Sequence, residues 1–168
     1  MRTAFKILFK IVAFPIALIW CATKPRHFPH GRPFKVRMPL IIDGDTFWHQ
    51  GRRYRIWGID APEMGEANGA AAKQHLERLA NQRDLNIIPR DTDVYGRVVV
   101  QVFCGRRDIG EAMVEDGFAL SRNNAYPFQA VRAAKKKRGL LRYGPISDPA
   151  AYRSRAAQKK LNPSVDFH

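Results

Sequence analysis

Three short polar segments interrupt apolar stretches of the chain. Ile42–Thr46 reads I-D-G-D-T, Tyr54–Glu63 reads Y-R-I-W-G-I-D-A-P-E, and Asp93–Arg97 reads D-V-Y-G-R. Together they supply Asp43, Asp45, Asp60 and Glu63 with Arg55 and Arg97. These residue types suit the hydrolysis of a phosphodiester. That reaction needs positive charge on the non-bridging oxygens, a water nucleophile and a group that accepts its proton. An arginine fork binds two phosphate oxygens and stays protonated. Two acids can hold a hard cation, Ca²⁺ or Mg²⁺, which adds charge and acidifies bound water. A third carboxylate is left to take the proton. Five scattered histidines and two cysteines offer no zinc cluster. Singly, each segment has a plain structural reading. Asp43-Gly44 is a hairpin turn, Pro62-Glu63 a helix start, Tyr95-Gly96 a turn before a strand, and Arg55 a partner for Asp60. Those readings do not explain why acids and arginines recur at the ends of strands one, three and five.

The elements that position these segments read as β-rich. From about Phe34 the pattern becomes strand-like. Apolar runs cover Val36–Ile42, Thr46–His49 and Arg52–Ile59, with turns at Asp43-Gly44 and Gln50-Gly51. A helix is expected from Pro62, with Glu63 and Glu66 favouring its positive end. Ala70, Ala71, Ala72, Leu76, Leu79 and Ala80 form its apolar stripe. Leu85–Pro89 and Arg97–Cys104 read as strands four and five. A short helix over Asp108–Asp116 and a basic helix over Tyr126–Arg138 follow, stopped by Gly117 and Gly139. Three strands, a helix, two strands and further helices match the OB-fold. The expected class is mainly β with α (α+β): a five-stranded Greek-key barrel with about three helices.

The three segments resemble those of the staphylococcal nuclease (thermonuclease-like) family, whose pattern is I-D-G-D-T, then R-x4-D-x-P-E, then D-x-Y-G-R. The similarity runs from about Leu40 to Leu140. It implies an OB-fold and Ca²⁺-dependent cleavage of DNA and RNA, with Mg²⁺ as the other ion to consider. By resemblance, Asp45 and Asp60 would ligate the ion with the backbone carbonyl of Ala61, and Asp43 would support it without touching it. Glu63 would act on the attacking water as a general base. Arg55 and Arg97 would hold the scissile phosphate, and Tyr95 would lie against the bound nucleotide. Water would expel the 5′-oxygen and leave a 3′-phosphate. The sequence departs from the pattern at Ala61, where threonine is common, and at Val94, where the type member carries lysine. The connections from Asp45 to Arg55 and from Glu63 to Arg97 are also shorter, and the chain beyond Leu140 does not match.

The composition agrees with a polyanionic partner. Across 168 residues, 29 Lys and Arg face 15 Asp and Glu, a net charge of +14. Arg132–His168 alone holds ten basic and two acidic residues, either a solvated face or a contact for nucleic-acid backbone. The expected organisation is a targeting segment at 1–22, a basic Pro-rich linker at 23–39, a nuclease domain at 40–142 and a basic tail at 143–168. Arg2, Lys6 and Lys10 precede the uncharged run Ile11–Ala22, the layout of an export signal to the periplasm or medium. An uncleaved membrane anchor through residues 7–22 and a core helix are the alternatives. Nothing calls for more than a monomer. The competing function is a non-catalytic OB module that binds single strands on aromatics such as Phe47, Trp48, Tyr54 and Trp57. A pure binder has no need of Asp45, Asp60 and Glu63 beside its phosphates, which favours the enzyme.

Overall fold

A computed structural model of the protein describes residues 32–148 together with 151 and 154. The proposed targeting segment, most of the linker and most of the tail lie outside these residues. Among the described residues no helix is long and apolar enough to cross a membrane.

Among the described residues nine short strands and three α-helices follow in order. They are β1 (Phe34–Val36), β2 (Leu40–Ile41), β3 (Thr46–His49), β4 (Arg52–Ile56), β5 (Ile59–Asp60), α1 (Gly69–Ala80), β6 (Leu85–Thr92), β7 (Val98–Cys104), β8 (Arg107–Asp108), α2 (Ile109–Glu115), β9 (Leu120–Ser121) and α3 (Pro127–Lys135). One sheet runs β1-β6-β7-β4-β3-β2, with β8 on β7, and a second pairs β5 with β9. β1 and β2 stand at opposite ends of that order yet are consecutive in the chain. A single bent stretch therefore borders both edges and curls the sheet into an OB-type α+β barrel. All pairings in the large sheet are antiparallel except β4 with β7, the long crossover through α1 making that one parallel.

The expected strands are present but bent. The run Val36–Ile42 divides at Met38, whose φ is 49°. The run Arg52–Ile59 divides at Gly58, whose φ of 76° suits glycine. That break releases β5 from the barrel to pair with β9. Phe34–Val36, where the strand-like pattern is expected to begin, pairs with β6 and buries Val36.

The core fills the barrel and its contact with the helices. Along β7, Val98, Val100 and Val102 point inward while Val99 and Gln101 turn out, the period of a half-buried strand. α1 buries Ala72, Leu76, Leu79 and Ala80, most of the stripe expected for it. Full burial of a side chain such as Ile56, Ile87 or Leu76 contributes about 1.5–3 kcal/mol. Phe47 and Tyr54 also belong to the core, their rings stacked at 5.1 Å, so neither serves as a surface platform.

The start of α1 corrects the sequence reading. The helix begins at Gly69, not Pro62. Between them the chain makes successive turns: the Glu66 N–H donates to the Glu63 carbonyl at 2.8 Å, and the Gly69 N–H to the Glu66 carbonyl at 3.1 Å. The Glu66 carboxylate accepts from the Glu63 N–H at 2.7 Å. A Cβ on Gly69 would lie 1.9 Å from the Glu63 carbonyl oxygen. Only glycine lets the helix start against this loop.

Candidate active site

Each predicted residue sits where a strand ends or a turn begins. Asp45 closes the β2–β3 connection. Gly44 before it is packed so closely that a Cβ would lie 2.6 Å from the Ala61 Cβ and 2.8 Å from that of Ala72. The small residue at 61 is thus matched to the glycine at 44. Asp43 braces the turn, its Oδ1 accepting from the Asp45 N–H at 3.0 Å. Asp45 is pinned further by the Thr46 hydroxyl at 2.8 Å and the Ala61 N–H at 3.3 Å.

Arg55, in β4, and Arg97, just before β7, lie on the same side of two adjacent parallel strands. Arg55 pairs with Val99 across β4 and β7, and Arg97 lies two residues before Val99, on the same side. The alternate residues Tyr54 and Val98 point into the core. Asp93 sets the turn that delivers Arg97. Its carboxylate accepts from the backbone N–H of Tyr95 at 3.0 Å, from that of Arg97 at 2.9 Å and from Arg97 Nε at 2.7 Å. Burial raises the Asp93 carboxyl, but the bonds and charge of Arg97 together outweigh it and hold the group below its ordinary range. Tyr95 is exposed, with the Arg97 guanidinium 5.4 Å from its ring centre.

The acids lie behind Arg55. Its guanidinium contacts Asp45 Oδ2 at 3.0 Å and Asp60 Oδ1 at 2.7 Å. It also donates to Asp45 Oδ1 at 3.2 Å and to the Ile59 carbonyl at 3.3 Å. Burial pushes the Asp45 carboxyl up to about 7, with Arg55 opposing and Asp43 adding to the rise. Arg55 therefore does pair with Asp60, as the structural reading had it, and with Asp45 as well.

Among the described residues no three His, Cys, Asp or Glu side chains form a ready-made metal cluster. Asp45 and Asp60 carboxylates with an Ala61 carbonyl make an all-oxygen set, the chemistry of a hard cation.

A groove of about 940 Å³ opens beside this cluster, and Arg55, Tyr95 and Arg97 line it. Asp45, Asp60 and Ala61 are buried behind Arg55, and Glu63 is half-buried on the adjoining loop. Two groove arginines, Arg90 and Arg122, have no place in the sequence reading. Neither lies in a motif, and only strand register and the β5–β9 pairing bring them here. Trp57 lines the same groove.

The family model for staphylococcal nuclease homologues matches residues 53–141. A micrococcal nuclease of Shigella flexneri is 30% identical over 138 residues, covering 73% of this chain and 79% of its own. Protein ParB of Escherichia coli is 34% identical over 127 residues, covering 66% and 71%. An uncharacterized endonuclease of Haemophilus influenzae is 28% identical over 141 residues, covering 78% of each. With the three motifs on one barrel and a profile match across its core, the chain belongs to the staphylococcal nuclease homologue family.

Proposed function

We propose that the protein is a nuclease that hydrolyses phosphodiester bonds of DNA and RNA with the help of Ca²⁺ or Mg²⁺. The observation that carries this reading is the pair Arg55 and Arg97 on one strand face above a groove, with two carboxylates directly behind. Arg55 and Arg97 bind the non-bridging oxygens and offset the charge that grows on them. Glu63 takes a proton from the attacking water, whose oxygen bonds to phosphorus as the bond to the 5′-oxygen breaks. Tyr95 supports the nucleotide beside Arg97. Asp45, Asp60 and the Ala61 carbonyl would hold the cation, which when bound adds positive charge and lowers the pKa of water. The relatives named as nucleases support this activity.

One observation favours a second reading. Arg55 is already paired with both acids, while Arg90, Arg97 and Arg122 line the groove, a basic wall suited to binding a strand without cutting it. The test is cleavage of labelled single-stranded DNA and RNA by the full chain with Ca²⁺, with Mg²⁺ and with chelator. Cleavage that chelator abolishes, and that Arg97→Ala abolishes too, is the expected result. Salt-sensitive binding without cleavage under any ion would establish the binding module. Cleavage undiminished by chelator would refute the cation.

A further inference from the structure

Arg90 and Arg122 are held in ways that stability does not explain. Arg90 is the extra residue of a bulge in β6: Pro89 pairs with Val100 and Asp91 with Val99, leaving Arg90 between them. A bulge re-aims a side chain, and here the arginine lines the groove. Its guanidinium lies 4.8 Å from the Trp57 ring centre and donates to Gln101 Oε1. Gln101 in turn donates to Asp108 Oδ2 at 2.6 Å, and Asp108 also accepts from the Tyr126 hydroxyl at 3.1 Å. A hydrogen-bonded chain reaching into the core thus orients one exposed arginine.

Arg122 follows β9. Its backbone N–H donates to the Gly58 carbonyl at 2.9 Å, which fixes it beside the strand that carries Asp60. Its side chain is 49% exposed and approaches Asp60 Oδ2 only to 3.8 Å, against 2.7 Å for Arg55. A half-exposed pair at that separation adds little to stability. The two arginines therefore flank Trp57–Gly58 in the same groove as Arg55 and Arg97.

We propose that Arg90 and Arg122, flanking Trp57–Gly58, form a second phosphate subsite, so that the groove takes a polynucleotide strand across at least two successive phosphates. The inference rests on the phosphodiester reading for the identity of the anion. Its test involves no cleavage, so loss of catalysis and loss of the subsite are told apart.

Binding by the full chain is measured in chelator, by fluorescence anisotropy, with labelled oligothymidylates of two and of about twelve nucleotides, a length within the reach of one OB groove. The parent binds the longer strand more tightly. The Arg90→Gln/Arg122→Gln double variant weakens that binding by about 100-fold, roughly tenfold for each lost charge-assisted contact. Its salt slope falls by about 0.7, the value for one phosphate on a single strand. The dinucleotide, which has one phosphodiester, loses far less. The matching Arg→Lys pair keeps most of the salt slope but loses the fork geometry. Arg106→Gln, on the exposed β7–β8 turn outside the groove, controls for general charge. A double variant that loses no more than Arg106→Gln would overturn the subsite. So would equal losses on both lengths, or a parent that binds both alike.

Discussion

Replacing Arg55 by methionine tests the charge cluster at its centre. Methionine keeps the apolar stem but removes the guanidinium that Asp45 and Asp60 share at 3.0 and 2.7 Å. The three side chains are 8%, 4% and 10% exposed, so water cannot take over the lost charge. Removing one partner of a buried ion pair costs about 3–5 kcal/mol, because the other charge stays behind. The Thr46 hydroxyl at 2.8 Å and the Ala61 N–H at 3.3 Å stay on Asp45, and Arg122 stays 3.8 Å from Asp60. They place the loss near the lower end, about 3 kcal/mol, out of a total stability of about 5–15 kcal/mol. For a domain of this size that lowers Tm by about 10–15 °C. Thermal unfolding of both proteins in chelator at pH 8 measures it. In a second arm Ca²⁺ is added. The variant's two carboxylates are left with Arg122 as their one named counter-charge, so Ca²⁺ raises its Tm more than the parent's; at ten times its Kd the ion stabilises the variant by about 1.4 kcal/mol. A fall of less than about 3 °C would refute the claim that these acids are charged and buried against Arg55. A full-sized fall that Ca²⁺ leaves untouched would sink the cation site and spare the ion pair.

Three further tests bear on the loop, the helix start and pH. Glu63→Gln lowers kcat by about 10²–10⁴-fold with strand affinity retained, as loss of a general base requires; single-turnover rates beside anisotropy separate the two, and an equally active variant removes Glu63 from the mechanism. Gly69→Ala would gain about 1 kcal/mol from helix propensity alone, but its Cβ would meet the Glu63 carbonyl oxygen at 1.9 Å, so both Tm and kcat fall; a rise in Tm would contradict the packing. Burial is the main cause that lowers the His75 pKa below its ordinary 6.5, against the pull of Asp116 at 3.0 Å. The unfolded chain then binds more protons, so stability is full above about pH 6.5 and is lost as pH falls towards the folded value. His75→Gln flattens the Tm profile below about pH 6.5, and an unchanged slope would clear His75 of that dependence.

What was legible in the sequence was what is local. I-D-G-D-T, Y-R-I-W-G-I-D-A-P-E and D-V-Y-G-R announce their chemistry because each joins its polar residues within a few positions, and the alternation of Val98 to Val102 announces a strand. Tertiary contact hid the rest. Pro62, Glu63 and Glu66 have the composition of a helix start, but the fit of Gly69 against Glu63 moves that start seven residues on. Gly58 within W-G-I reads as strand interior until β9 arrives to pair with β5. Arg90 becomes visible only once the β6–β7 register exposes the bulge. Arg55 illustrates both kinds. Its type suggested phosphate, and the fold adds that it neutralises Asp45 from ten residues away.

The bent stretch that borders both sides of the sheet also sets an order of events during synthesis. β2 meets its partner β3 almost at once, a hairpin that forms in microseconds. β1 must wait, because Phe34 pairs with Ile87, about 50 residues further on. At roughly 5–20 residues per second, the ribosome takes several seconds to supply that partner. Through that interval Phe34 and Val36 stay apolar and unsatisfied at the mouth of the exit tunnel. Closure of the barrel is therefore a late, non-local step, and the nascent chain is most open to chaperones, and most exposed to aggregation, just before β6 emerges.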